Sequence, residues 1–379
     1  MPSSAAVSTP TPTPSPSPGT VSTPVSSPLP GPVVETSLEP LGFELPSITP
    51  WIAFDVLAVA PTENAVPSQE KFRFRTLDLG ARFDFDSDVH AVVTVGGRDS
   101  LGEISLRLRE GFVAVTRSWS EFRAGHFFLN VGLLNGTPRA RWPFPTAPLS
   151  HTEFFADERA YDSGGELTLK VTDRLSLGIG LTNGYWYGSA PTTGGDKPLS
   201  PTHYVRPTLA IPIGDGSAIV AVDYLSRVDF TGERTRLSGL EVAFSRGSAE
   251  NPTWMTWIEV HHRYRQPSGL ALEEKLGGYV YNQARIDRRW SAGLRLDALT
   301  IPTLTAANGQ HRNNLQAEFV PVVTYRLTDA TQLKTSYTYM RETRDGDTPR
   351  SEQRFELQFS ADLDRLPTLK AKSDDRPSL

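Results

Sequence analysis

The sequence predicts an all-β chain: a closed antiparallel transmembrane β-barrel of about sixteen strands, of the kind that has short turns at one end and long loops at the other. Three observations carry that reading. Apolar and polar residues alternate in segment after segment from Trp51 to Leu363, and no segment has a convincing period of 3.6. The face opposite the apolar one is built of small or charged residues, with no helical sequence nearby to cover the apolar face. Short turns also alternate along the chain with longer polar loops.

The clearest pair of strands lies within Gly164 to Trp186. Leu167, Leu169 and Val171 alternate with Glu166, Thr168 and Lys170. After Thr172, Asp173 and Arg174, the residues Leu175, Leu177, Ile179 and Leu181 alternate with Ser176, Gly178, Gly180 and Thr182. A period of two with a tight turn between means an antiparallel hairpin. One face needs an apolar cover and the other tolerates water. A soluble sheet meets that need by packing on a second sheet, and a barrel meets it with lipid outside and a wet lumen inside.

Composition narrows the function classes. The chain has 379 residues and a formal net charge of −5, with no basic block, so a nucleic-acid partner is not expected. Cysteine is absent, which removes disulfides, thiol nucleophiles and cysteine metal sites. No apolar run is long enough for a membrane helix. A mean hydropathy of −0.32 still suits a barrel, whose strands need apolar residues only at alternate positions. Met1 is followed by PSSAAVSTP, without a charged or apolar leader, so no signal peptide is expected in this chain.

Residues 1–50 are rich in Pro, Ser and Thr and carry no charge before Glu35, so they are expected to form an extended, disordered arm. The barrel is expected over 51–363, followed by a disordered polar tail at 364–379. Within the barrel, Leu77 to Phe85 turns at Asp86 to Asp88 into Val89 to Val95. Ile104 to Arg117 follows, with a bulge expected at Gly111, and Ser118 to Glu121 turns into Phe122 to Val131. Val205 to Ile213 turns at Gly214 to Gly216 into Val220 to Tyr224. Leu240 to Phe244, Trp254 to Tyr264, Trp290 to Ala298, Leu315 to Tyr325, Leu333 to Tyr339 and Phe355 to Leu363 supply the remaining alternating runs.

Short turns are expected around Ser87, Trp119, Asp173, Asp215, Gly247, Asp287 and Asp329. Longer loops are expected around Pro61, Ser100, 132–163, 188–203, Asp229, Gly269, Ala307 and Asp345. Trp and Tyr near strand ends, among them Tyr204, Trp254, Tyr279, Tyr281 and Trp290, read as interface girdles. Every backbone polar group in hydrocarbon must be paired, so the last strand is expected to join the first near Trp51 to Ala60. Asp55 should then face the lumen.

The longest loop, 132–163, carries Arg139, Arg141, His151, Glu153, Asp157, Glu158 and Arg159. Folded inward, it would narrow a pore and set both signs of charge beside a passing ion; as an external or trimer-contact loop it would not. By parity Arg82, Arg107, Arg109, Arg123, Lys170, Arg206, Arg295, Lys334 and Arg354 face the same side, together with Asp78, Asp84, Glu241, Glu259, Asp297 and Glu356. They form either an anion path or a mixed wall whose charges pair across strands. His261 and His262 are sequence neighbours in a strand, so their imidazoles point apart and no metal site is expected of them. No Ser/His arrangement or phosphate-cradling loop stands out, so neither catalysis nor a cofactor is expected.

Several short runs resemble the phosphate-selective porin O and P family and related outer-membrane porins. These are Arg123 to Gly132, Tyr161 to Leu167, Leu181 to Tyr185, Tyr281-Asn282-Gln283 and Arg289 to Asp297. The resemblance spans roughly residues 70–363. It implies a sixteen-stranded trimeric diffusion channel with an inward-folded constriction loop, and it does not imply selectivity. The function expected is passive diffusion of small hydrophilic solutes or ions across a bacterial outer membrane. The alternatives are a non-transport barrel, such as an anchor or adhesin, and a soluble exported β-sandwich that binds glycans.

Overall fold

Alternation of this kind leaves every strand with one apolar face and a row of unpaired backbone groups on each edge, and both demands are met here by closing one sheet on itself. In the computed structural model the described residues are 46–61, 72–100, 103–155, 159–184, 201–228, 232–248, 251–266, 272–305 and 311–363. The strands are β1 (Ser47–Pro61), β2 (Phe72–Asp84), β3 (Val89–Ser100), β4 (Glu103–Arg117), β5 (Ser120–Phe128), β6 (Tyr161–Lys170), β7 (Leu175–Thr182) and β8 (Thr202–Ile213). They continue as β9 (Gly216–Val228), β10 (Arg234–Ser248), β11 (Asn251–Gln266), β12 (Glu273–Arg285), β13 (Trp290–Thr305), β14 (His311–Arg326), β15 (Thr331–Arg344) and β16 (Arg350–Leu363). Each pairs antiparallel with its sequence neighbours, and β16 closes on β1 with Asp55 opposite Ser360. Among the described residues one closed sheet leaves no second sheet to cover the apolar face, which rules out the β-sandwich alternative. Of the arm expected to be disordered over residues 1–50, Ser47 to Pro50 belong instead to β1; residues 1–45 and the tail 364–379 lie outside the described residues.

Register decides which face is which. Leu240 lies between Val222 and Val260 in one lateral row, all three pointing out and exposed. One residue along, Glu241 lies between Ala221 and Glu259, all buried on the inner side. A slip of one residue would exchange the two rows. The short turns have a local cause as well. The carboxylates of Asp86 and Asp287 accept backbone N–H groups two and three residues on, at 2.7 Å, and the hydroxyls of Thr172 and Thr328 accept in the same way.

The structure corrects four further expectations. No long loop stands near Ser100, because β3 and β4 stay paired as far as Ser100 and Glu103 and only two residues connect them. The bulge of β4 falls at Arg109, where Glu110 faces Thr94 and Leu108 faces Val95, whereas Gly111 stays in register with Val93. Tyr204, Tyr279 and Tyr281 are buried inside the barrel and do not belong to an interface girdle. Their hydroxyls find partners there: Tyr204 and Tyr279 donate to Glu166 and Glu259. Helix is present too, in a short segment α1 (Leu149–Phe155) and a 3-10 turn at Arg139–Arg141, both within the longest loop.

Candidate functional site

The site is built where the segment 129–160 leaves β5 and returns to β6. Its neck is closed by the N–H of Leu129 donating to Ala160 O (3.0 Å) and by the Asn135 amide donating to Leu129 O (2.7 Å) and Ala160 O (2.8 Å). Gly132 takes a φ of +76°, a left-handed turn open to glycine at no steric cost. The turn aims its N–H at Asp223 Oδ2 (3.0 Å) and Glu241 Oε1 (2.7 Å), and the next N–H, of Leu133, donates to Glu259 Oε2 (2.8 Å). These carboxylates stand on the inner faces of β9, β10 and β11.

From there the segment meets the inner face of strand after strand. Ala140 O accepts from Lys334 Nζ (3.1 Å) and Gln332 Nε2 (3.0 Å) on β15, and Arg141 pairs with Asp362 on β16. Pro143 O accepts from Tyr281 on β12 (3.3 Å), Pro145 O from Arg75 on β2, and Thr146 O from Arg295 on β13. The N–H of Leu149 donates to Asp297 Oδ2 (3.3 Å), and Glu153 accepts from Arg263 (2.8 Å) and Lys275 (2.7 Å). An irregular loop carries backbone donors and acceptors that no ladder satisfies. Wall cations meet its carbonyls and wall carboxylates meet its N–H groups.

Apolar side chains of the segment pack inward as well. Phe154 and Phe155 join Leu225, Leu237 and Leu299, while Trp142 and Phe144 join Val320 and Val322. His151 sits in this apolar layer, its ring 5.0 Å from Trp142 and 5.3 Å from Phe155. Burial pushes its imidazole well below the usual histidine range, and the guanidinium groups of Arg139 and Arg159 push the same way. Arg159 stands 3.6 Å from Asp78 and lies over the Phe128 ring at 3.8 Å. Burial holds its guanidinium down to about 10.

The residues expected from sequence to line a constriction divide into groups. Arg139, Arg141, Glu153, Arg159 and Arg295 all lie in or against the segment; Arg139 is buried with its guanidinium over the Trp142 ring at 5.1 Å. Arg109 stands 3.1 Å from Asp78, and Arg123 donates to Glu166 Oε2 (3.0 Å) and Phe128 O (3.1 Å), so both flank the neck side. Arg82 and Lys170 sit at strand ends on the short-turn rim, with Arg82 paired to Asp84, and Arg107 is exposed on β4. Asp157 and Glu158 lie outside the described residues. The wall pairs across strands: Arg295 binds Asp297 (2.9 Å) and Glu318 (3.0 Å), and Arg354 binds Glu318 (3.3 Å) and Glu356 (2.8 Å).

Sequence reasoning missed Arg75, Asp223 and Arg263. The signal for Asp223 was present, a lone acid in the apolar run Ala218 to Leu225. Arg75 is displaced inward by a shift in register between Asp55 and Val56, which alternation alone does not reveal. His261 and His262 do point apart, His261 buried within and His262 exposed.

No family model matches the chain, and no curated protein matches it by sequence. Solved structures do. The outer membrane channel DcaP of Acinetobacter baumannii is 14% identical with a TM-score of 0.60, over 83% of this chain and 96% of its own. An anion-selective porin from Comamonas acidovorans is 11% identical with a TM-score of 0.58, over 84% and 99%. OmpT of Vibrio cholerae in its trimer form is 10% identical with a TM-score of 0.58, over 84% and 100%. What this chain shares with them is the porin-like barrel fold of outer-membrane proteins.

Proposed function

We propose that this protein is an outer-membrane porin through which small hydrophilic solutes or ions diffuse passively, in a lumen narrowed by the inward-folded segment 132–163. The observation that carries the reading is the seating of this segment against the polar inner face of a closed barrel whose outer face is apolar. A barrel needs no such charged interior for stability alone, since replacing buried ion pairs by apolar residues is often neutral or stabilising. Arg139, Arg141, Glu153 and Arg159 from the loop, with Arg109, Arg123 and Arg295 from the wall, border the narrow zone. Asp157 and Glu158 belong to the same loop. Because most of these charges are paired with opposite ones, selectivity between anions and cations is expected to be weak. The assembly proposed is a homotrimer, in keeping with the trimer form of the Vibrio cholerae neighbour.

A specific observation favours a second reading, in which the barrel is closed at rest. Trp142, Phe144, Phe154, Phe155, Arg295 and Lys334 are each exposed by 1% or less, so water does not reach them. Planar-bilayer recordings separate the readings. The native chain is expected to give stepwise conductance, and a variant with residues 136–155 replaced by a short Gly/Ser linker is expected to give larger steps. Steps from the shortened variant alone establish the plugged barrel, and silence from both overturns the channel.

A further inference from the structure

The inner face of β9 to β11 holds a cluster that passive diffusion does not use. Register sets Asp223, Gly239 and His261 side by side on three strands, with Glu241 and Glu259 side by side in the adjoining row. Gly239 leaves the room that the imidazole occupies: a Cβ there would stand 2.5 Å from His261 Cδ2 and 2.6 Å from Nε2. His261 is fully buried, and neither ring nitrogen makes a hydrogen bond. Nδ1 lies 3.4 Å from Glu259 Oε1 and Nε2 lies 3.7 Å from Asp223 Oδ2. Glu259 Oε1 also lacks a hydrogen bond, and Asp223 Oδ1 makes none beyond its ion pair with Arg206 Nε. Idle polar atoms at this depth are costly and ask for a partner.

Charge points to the kind of partner. Among the described residues, Asp223, Glu241 and Glu259 face one guanidinium, that of Arg206, which stands 3.1 Å from Asp223 and also pairs with Glu241. Three carboxylates against one guanidinium, beside an imidazole, make a donor set of the kind that suits a divalent cation. The rings of Phe155 and Phe154 close the site at 5.0 and 5.9 Å from the imidazole. One ligand atom each from Asp223, Glu241 and His261 lie within 4.8 Å of one another. Tetrahedral ligands at about 2.0–2.2 Å from zinc stand roughly 3.3–3.6 Å apart, so side-chain adjustments on the order of 1 Å would seat the ion.

We propose that Asp223, Glu241 and His261 bind one divalent transition-metal ion, zinc best matching the imidazole and carboxylate donors, with Glu259 as the adjoining carboxylate. The ion also fastens the loop, because the N–H groups of Gly132 and Leu133 donate to these same carboxylates. Backbone donors and metal would share the carboxylates, as partners outside the ligand set commonly orient ligating groups. Sequence neighbours gave no hint of this site, since its ligands come from three strands and Gly239 supplies only space.

The test uses the untagged full chain in detergent, stripped with a chelator, dialysed and titrated calorimetrically with zinc chloride. One ion per chain is expected. Glu241→Gln and His261→Gln are each expected to weaken binding more than about 100-fold, beyond the 10–100-fold typical of losing an outer partner. Arg82→Gln, at the far rim, should bind as the native chain does. A stripped native chain that binds no zinc, or variants that bind unchanged, overturns the site. If either variant fails to fold, as judged by circular dichroism, the cobalt(II) spectrum of the native chain decides. Intense visible bands of a tetrahedral site support the proposal, and the weak spectrum of the hydrated ion overturns it. None of these readouts depends on whether the barrel conducts.

Discussion

Asp55 shows how a single residue is settled by its surroundings. Facing lipid, a carboxylate in β1 would be expensive. Facing in, it accepts from Arg75 Nε (2.8 Å), Thr76 Oγ1 (2.9 Å) and Gln358 Nε2 (2.8 Å), which draws β1, β2 and β16 together at the barrel's closure. Asp55→Ala is expected to cost about 3–5 kcal/mol, because the buried Arg75 loses its anion. Asp55→Asn should cost less, and urea unfolding in lipid vesicles measures both; a loss below about 1 kcal/mol for the alanine variant would contradict the assignment. On the other face, Leu240→Arg at mid-strand is expected to cost about 2–4 kcal/mol in the same assay, the penalty of a cation facing lipid. An isoenergetic Leu240→Arg would mean that this face does not meet hydrocarbon. Asp55 was legible because alternation fixes its side of the strand, whereas Arg75 was hidden by a change of register.

At the scale of elements, the strands and short turns follow from local sequence and the inserted segment does not. Asp86, Thr172, Asp287 and Thr328 mark their turns by side-chain hydrogen bonds confined to the next few residues. The fold of 129–160 depends on partners far away in sequence, such as Tyr281 for Pro143 and Lys334 for Ala140. His151 gives this element a pH dependence. Its folded value lies below the ordinary 6.5, so the unseated loop binds a proton more readily than the seated one. The seat is therefore at full strength above about pH 6.5 and weakens as the pH falls below it. His151→Phe is expected to move the acid transition, followed by near-ultraviolet circular dichroism, to lower pH. An unchanged midpoint would remove His151 as its cause.

For the whole molecule, closure of the sheet and sorting of the faces make one statement about solvent. A chain with Leu240, Leu296, Phe319, Leu357 and similar residues exposed around a closed barrel is expected to partition into detergent and to insert into vesicles. Phase separation with a nonionic detergent checks this, and a stable water-soluble monomer would end the membrane reading. The loop bears on the same scale. It lies against an inner face whose charges are neutralised in pairs, such as Arg295 with Asp297 and Glu318. The sequence could name these charges as facing one side, but their pairing depends on which strands lie next to each other.

By itself the sequence determined the class of fold, the count of strands to a close approximation, the short turns and the side on which charges such as Asp55, Glu241 and Arg295 lie, though not that of Arg75. All of these follow from a period of two and from turn chemistry acting over a few residues. Tertiary structure alone decided that 129–160 is held by backbone contacts to distant strands, that Tyr204, Tyr279 and Tyr281 turn inward, and that Asp223, Glu241 and His261 converge. Such facts depend on lateral register between strands and on bulges of one residue, and a linear pattern carries neither.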